Sequence, residues 1–105
     1  MDNVKYKLRY LPLFYDDMAE AVDYISNELQ NQTAALKLID QTEQAILKRL
    51  DNPLSFQPIY SAKKRKNPYY RISINNFSVF YVVIDDVMEV RRFLYSKRDI
   101  DSILD

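Results

Sequence analysis

The stretch "YYRISINNFSVFYVVIDDVMEVRRFLY", residues 69–95, restricts the fold of this sequence more than any other part of it. Runs rich in Ile, Val, Phe and Tyr are separated only by Asn75-Asn76 and Asp85-Asp86, dipeptides that tolerate left-handed backbone and suit tight hairpins. The spacing predicts a three-stranded antiparallel meander. With two-residue loops the register follows by counting: 74 pairs with 77, 72 with 79, 84 with 87 and 80 with 91. One face then carries Tyr70, Ile72, Ile74, Phe77, Val79, Tyr81, Val83, Met88, Val90 and Leu94, and should lie against the rest of the chain. The other carries Arg71, Ser73, Ser78, Phe80, Val82, Glu89, Arg91, Phe93 and Tyr95. Arginines alternating with aromatics suit a surface that meets a nucleic acid or a partner's apolar helix, and equally an ordinary wet face. Arg92 falls on the apolar side, where structural pairing near an end of the sheet is expected.

Upstream, Val4, Tyr6, Leu8 and Tyr10 alternate with Lys5, Lys7 and Arg9, the period-two pattern of a half-buried strand. Pro12 interrupts it. Phe14, Met18, Ala21, Val22, Ile25 and Leu29 recur at helical spacing and predict a helix over about residues 13–30, with Asp16, Asp17 and Glu20 early, where the macrodipole favours anions. A second helix follows an N-cap at Asn31 or Thr33, shows a stripe of Leu36, Ile39, Ile46 and Leu50, and ends near Asp51 because Pro53 cannot continue it. The short joint implies an antiparallel helical hairpin. Asp51–Pro68, "DNPLSFQPIYSAKKRKNP", reads as a structured but irregular connection, and "RDIDSIL" adds a short C-terminal helix. The expected architecture is α+β: an N-terminal strand, a two-helix antiparallel hairpin, a three-stranded antiparallel meander and a short C-terminal helix, with the helices on one face of the sheet.

At 105 residues this is one domain, residues 1–105, with a single core. Fifteen Lys plus Arg offset fifteen Asp plus Glu, so any site for a polyanion must come from local clustering. No apolar run is long enough to cross a bilayer and the first residues lack a secretory h-region, so a cytoplasmic protein with no membrane partner is expected. The absence of cysteine is compatible with a reducing compartment. Lacking histidine and cysteine, the chain has neither the commonest general base nor the soft metal ligands. Lacking glycine, it has no phosphate-binding loop of the P-loop or dinucleotide type. No metal and no cofactor are expected, and any chemistry falls to Arg, Lys, Tyr, Ser, Asp or Glu.

Among those, the run Lys63, Lys64, Arg65, Lys66 can grip a phosphate backbone by releasing counterions, although a solvated loop is the plainer reading of the run alone. Tyr95 is placed by the count on the mixed face next to Lys97 and Arg98, where a phenol could hydrogen-bond a phosphate or stack on a base. Asp16-Asp17 and Asp85-Asp86 are assigned to helix-start and turn chemistry.

The order of elements, together with "YLPLFYDDMAEAVDYI", "NPYYRISINNFSVFYVVIDD" and, most specifically, "VMEVRRFLYSKRDIDSIL", resembles the RelE/ParE superfamily of bacterial toxins from type II toxin–antitoxin modules. The resemblance spans nearly the whole chain. It implies a toxin that arrests growth and is held inactive by a cognate antitoxin whose extended or helical segment wraps its helices and sheet; a homodimer or a toxin–antitoxin hetero-oligomer is expected. Two targets follow from the two branches. RelE-like members are ribosome-dependent, metal-independent endoribonucleases that cut mRNA with cations and a tyrosine on the strands and C-terminus. ParE-like members, known for plasmid stabilisation, act on DNA gyrase and lack that set.

Carried over by residue, Arg71 matches a basic position on strand two, and Lys97 or Arg98 the cation after the last strand. Ser73 and Ser78 stand where the ribonucleases typically carry a second strand-two cation and an arginine early in strand three. A hydroxyl cannot replace a guanidinium that stabilises charge developing at a phosphorane. Arg91, Tyr95 and the 63–66 loop remain as alternative catalytic or contact groups. The long hairpin and the "RDI" ending lean towards the ParE branch, in which Arg71, Arg91, Lys97 and Arg98 are contact residues with no bond-making role. A homologue that binds antitoxin without being toxic is the third reading.

Overall fold

The computed structural model describes residues 5–105. It contains β1 (Lys7–Tyr10), α1 (Pro12–Asp23) running into a π-helical turn (Tyr24–Glu28), α2 (Gln32–Leu50), β2 (Tyr70–Ile74), β3 (Phe77–Ile84), β4 (Val87–Tyr95) and a short α3 (Ile100–Ile103). This is the expected element order. Val4, where the first alternation was expected to begin, lies outside the described residues.

The last strand is an inner one. The sheet runs β1-β4-β3-β2, with β1 parallel to β4 and the other pairs antiparallel. Both hairpins turn through a left-handed residue, Asn75 at φ 54° and Asp85 at φ 55°, which short polar side chains adopt at low cost. β1 pairs only with Val87–Val90; the Leu11 amide gives a final bond to the Val90 carbonyl at 2.9 Å, and Pro12, with its fixed φ and missing donor, starts α1.

That leaves the upper half of β4 with a bare edge, and α1 covers it. Asp17 Oδ2 accepts from Arg92 Nε at 2.7 Å and from the Phe93 amide at 3.0 Å, while Oδ1 accepts from Arg92 Nη2 at 2.9 Å. Asp17 is therefore an edge-capping residue in the second turn of α1, and the expected helix-start role is corrected. Arg92 does have a structural partner, as anticipated.

The meander departs from simple counting at one place. Tyr81 pairs with Val90 but Phe80 pairs with Arg92, so Arg91 is the extra residue of a β-bulge. Everything beyond it changes face. Phe93 packs on the helix side, stacked on Phe77 with centroids 5.0 Å apart, and Leu94 turns to the opposite side, the reverse of the expected assignment. Tyr95 pairs with Phe77 and lies edge-on to its ring at 5.8 Å, so it too faces the helix side and not the mixed face.

On the helix side Phe14, Leu38, Ile46, Tyr81, Met88, Val90 and Phe93 form the main core. The buried positions of α2 are Ala35, Leu38, Thr42 and Ile46; Leu36 and Ile39, expected in the core stripe, point outward at 68% and 38% exposure. The helix carries apolar residues along two adjacent stripes, and the sheet selects the one with the smaller side chains, Ala35 and Thr42, which lets the backbone approach. Asn31 is the N-cap, its Oδ1 accepting from the Ala34 amide at 3.0 Å.

The other side of the sheet is not open throughout. Tyr69, Phe80, Val82 and Leu94 are buried there beneath Ile59 and the Ile100, Ile103 and Leu104 side chains of the C-terminal segment. The single expected core is thus two, one per face. Among the described residues no helix is long and apolar enough to cross a membrane.

Candidate functional site

The side of the sheet opposite the hairpin carries most of the candidate cations, and strand pairing fixes their rows. Arg71 on β2 stands opposite Phe80 on β3, which in turn faces the bulge at Arg91-Arg92. The Arg71 guanidinium lies 5.1 Å over the Phe80 ring and is exposed to solvent. It shields the aromatic and keeps its charge in water, as a cation over a π face does.

Arg91 is held differently. Its Nε donates to Glu89 Oε1 at 2.7 Å and its Nη1 to the Tyr69 hydroxyl at 3.3 Å, with the guanidinium 5.6 Å over the Tyr69 ring. Arg9 reaches the other carboxylate oxygen from the parallel strand, its Nε 2.7 Å from Glu89 Oε2 and its Nη2 on the same atom. Glu89, only 5% exposed, therefore sits between two guanidiniums and consumes donors of both. Sequence reasoning placed Glu89 on this face but missed its role. The signal for Arg91 was present, two residues along the same strand; the signal for Arg9 was not, because nothing local announces a parallel pairing with β1.

Burial alone would raise the Glu89 pKa, but the hydrogen bonds from Arg91 and Arg9 and their positive charge hold it below the usual carboxylate value. Burial likewise opposes the charge on Arg91, and its bonds to Tyr69 and Glu89 keep its pKa above the ordinary one. A carboxylate whose folded pKa is depressed contributes stability that is present above its unfolded pKa and is lost as pH falls through the folded one. The Glu89→Gln protein is expected to be less stable than the parent at about pH 7 and to lose less stability on acidification to about pH 3. Denaturant unfolding at successive pH values measures this; parallel stability–pH curves for the two proteins would contradict it.

The four-cation loop divides in two. Lys63 Nζ donates to the Asp101 carbonyl and, at 3.1 Å, to that of Leu104. Arg65 Nε donates to the Asp105 carbonyl, its Nη2 to Leu104 O at 3.4 Å, and it lies 3.8 Å from Asp101 Oδ1. These two alternate residues clamp the C-terminal segment over the second core, a structural task the sequence did not reveal. Lys64 and Lys66 point into solvent.

The remaining candidates separate in space. Lys97 is exposed beyond β4, while Tyr95 and Arg98 line a groove on the helix side. The structure brings Arg71 and Arg91 onto one surface and places Tyr95 and Arg98 elsewhere, so the expected grouping of Tyr95 with the mixed-face arginines is corrected; the bulge is the cause. Ser78 is fully buried with its Oγ 2.8 Å from Ser96 Oγ, and Ser73 stands beside it on β2.

A family model described as the ParE toxin of the type II toxin–antitoxin system parDE matches residues 8–100 of the sequence. No curated protein matches it. Among solved structures, the chromosomal ParDE toxin–antitoxin system from P. aeruginosa is similar at a TM-score of 0.68 and 14% identity, covering 89% of this chain and 98% of that one. YafQ from E. coli strain BL21(DE3) gives a TM-score of 0.58 at 13% identity, covering 86% and 92%. The RelB–RelE antitoxin–toxin complex from Methanococcus jannaschii gives 0.50 at 20%, covering 91% and 99%. At these identities the structural likeness speaks to the fold alone.

Proposed function

The chain belongs to the ParE toxin family, within the RelE/ParE superfamily of type II toxin–antitoxin toxins, and on that premise we propose that it arrests growth by binding DNA gyrase and not by cutting mRNA. The observation that carries this reading is the state of the cations on the sheet. A ribonuclease working by attack of a 2′-hydroxyl on the neighbouring phosphate needs preorganised donors converging on the phosphorane oxygens. Here Arg91 donates to Glu89 and Tyr69, hydroxyls occupy positions 73 and 78, and Tyr95 lies on the far side of the sheet.

What is left suits contact more than catalysis. Arg71, Lys64, Lys66 and Lys97 are exposed charges that steer association and set register with a target. Arg71, lying over Phe80, is the best placed of them to anchor it. The cognate antitoxin, in this reading a protein encoded beside the toxin in the cytoplasm, has apolar surface to cover in Leu36, Ile39 and Leu47 along the outer side of α2.

The test gives purified protein to gyrase with plasmid DNA and, separately, to programmed ribosomes. Loss of supercoiling or linear cleaved plasmid is expected with gyrase, and intact mRNA with ribosomes. Arg71→Glu is expected to weaken the gyrase effect by about tenfold or more, the cost of reversing a contact charge, without lowering Tm. Cleavage of mRNA at the ribosomal A site would replace this reading with the ribonuclease, and normal growth of a host expressing the chain well would remove the toxin reading.

A further inference from the structure

On the helix side, beyond the end of β1, the last turns of α1 and the ends of β3 and β4 enclose a groove of about 740 Å³. Its floor is apolar, built from Ala21, Ile25, Phe77 and Phe93. Tyr24 and Leu29 stand at its wall 54% and 57% exposed, with Tyr95 across from them, and none of the described residues covers them. The wall includes the π-helical turn, where the Leu29 amide donates to the Tyr24 carbonyl at 3.1 Å in place of that of Ile25. Such turns are rare and concentrate at functional sites.

The charge on the rim has one dominant sign. Glu20, Asp23 and Glu28 line it with no ion pair to any of the described residues, Asp17 is already neutralised by Arg92, and Arg98 is the one cation in the lining. The whole chain is electrically neutral, yet in this groove three carboxylates without an ion pair among the described residues face a single arginine. A polyanion is repelled by this rim, and a purely apolar occupant leaves its carboxylates uncompensated.

We infer that this groove docks a partner protein segment with apolar anchors along one face and lysine or arginine beside them, its cations meeting Glu20, Asp23 and Glu28. This docking is the same whether gyrase or mRNA is the target. It gives the molecule two contact surfaces of opposite sign, which lets partners of opposite charge bind together and excludes each from the other's surface.

The test uses the full chain and a synthetic amphipathic helical peptide of leucine and lysine, labelled for fluorescence anisotropy, with a leucine–glutamate counterpart. The lysine peptide is expected to bind, weakening as salt rises, and to protect residues 20–29 and 93–98 from hydrogen exchange. The paired substitution Glu20→Lys with Glu28→Lys is expected to weaken binding by about tenfold or more, with unchanged Tm because both side chains are exposed and form no ion pair with the described residues. Leu29→Ala, also exposed, is a second variant expected to weaken binding through the apolar contact. Equal affinity of these variants, protection on another surface, equal binding of the glutamate peptide, or no binding at about millimolar peptide overturns the proposal. Self-association of the chain abolished by the same substitutions overturns it as well, since the occupant is then a second copy.

Discussion

Asp17→Ala is expected to lower the unfolding free energy by about 3 kcal/mol, and Tm by roughly 15 °C. The carboxylate satisfies three donors at once: Arg92 Nε at 2.7 Å, Arg92 Nη2 at 2.9 Å and the Phe93 amide at 3.0 Å. Two of these belong to a guanidinium that is mostly withdrawn from water, and the third is the Phe93 amide on the strand edge. Removing the acceptor leaves a half-buried charge and an unpaired amide, each of which costs more than the original bonds contributed. Arg92→Ala added to Asp17→Ala is expected to cost less than the sum of the single changes, because the charge left behind is removed with its partner. Denaturant and thermal unfolding of the three variants measure both effects. A loss under about 1 kcal/mol for Asp17→Ala would mean that the pair behaves as an ordinary surface salt bridge.

Deletion of Arg91 is the second large effect, and the expected cost is about 3 kcal/mol or more. The deletion makes the β3–β4 ladder continuous from Ile84–Val87 to Phe77–Tyr95 and leaves Phe93 opposite Val79 and Leu94 opposite Ser78, so both keep the faces they have. What it removes is the guanidinium that donates to the buried Glu89 carboxylate and to the Tyr69 hydroxyl, together with the local bend and added twist of the bulge. Denaturant and thermal unfolding measure the loss; a variant with parental Tm would show that both the bulge and the guanidinium are dispensable. Arg91→Ala keeps the extra residue and removes only the guanidinium, so the difference between the two variants gives the contribution of the backbone.

Much of this was legible in the sequence because the meander encodes its own register. Asn75 and Asp85 turn as expected, and the first rows of each hairpin follow from counting. The break in register was legible too, in principle. In "VRRFL" two polar residues are followed by two apolar ones, and an alternation of period two cannot accommodate that without an extra residue. The exposed stripe of α2 was harder, because Leu36 and Ile39 are individually more apolar than the Ala35 and Thr42 that the sheet accepts, and only packing distance chooses between them. The ties that shape the candidate surface lay out of reach. Arg9 to Glu89, Arg92 to Asp17, and Lys63 and Arg65 to the C-terminal carbonyls all join segments far apart in the chain. No local periodicity announces such pairings. They nevertheless decide which cations are free and which are already committed.

The sheet order has a consequence for how such a molecule comes into being on the ribosome. The strand between β1 and β3 is β4, made last among the strands, so a nascent chain without it offers a two-stranded hairpin and an unattached leading segment, neither able to hold together alone. The N-terminal strand must wait for a partner some eighty residues downstream, and contacts of that range make assembly late and cooperative. Nearly the whole polypeptide is therefore translated before any assembled surface exists, which leaves an interval in which a protein made at the same time can be ready to meet it.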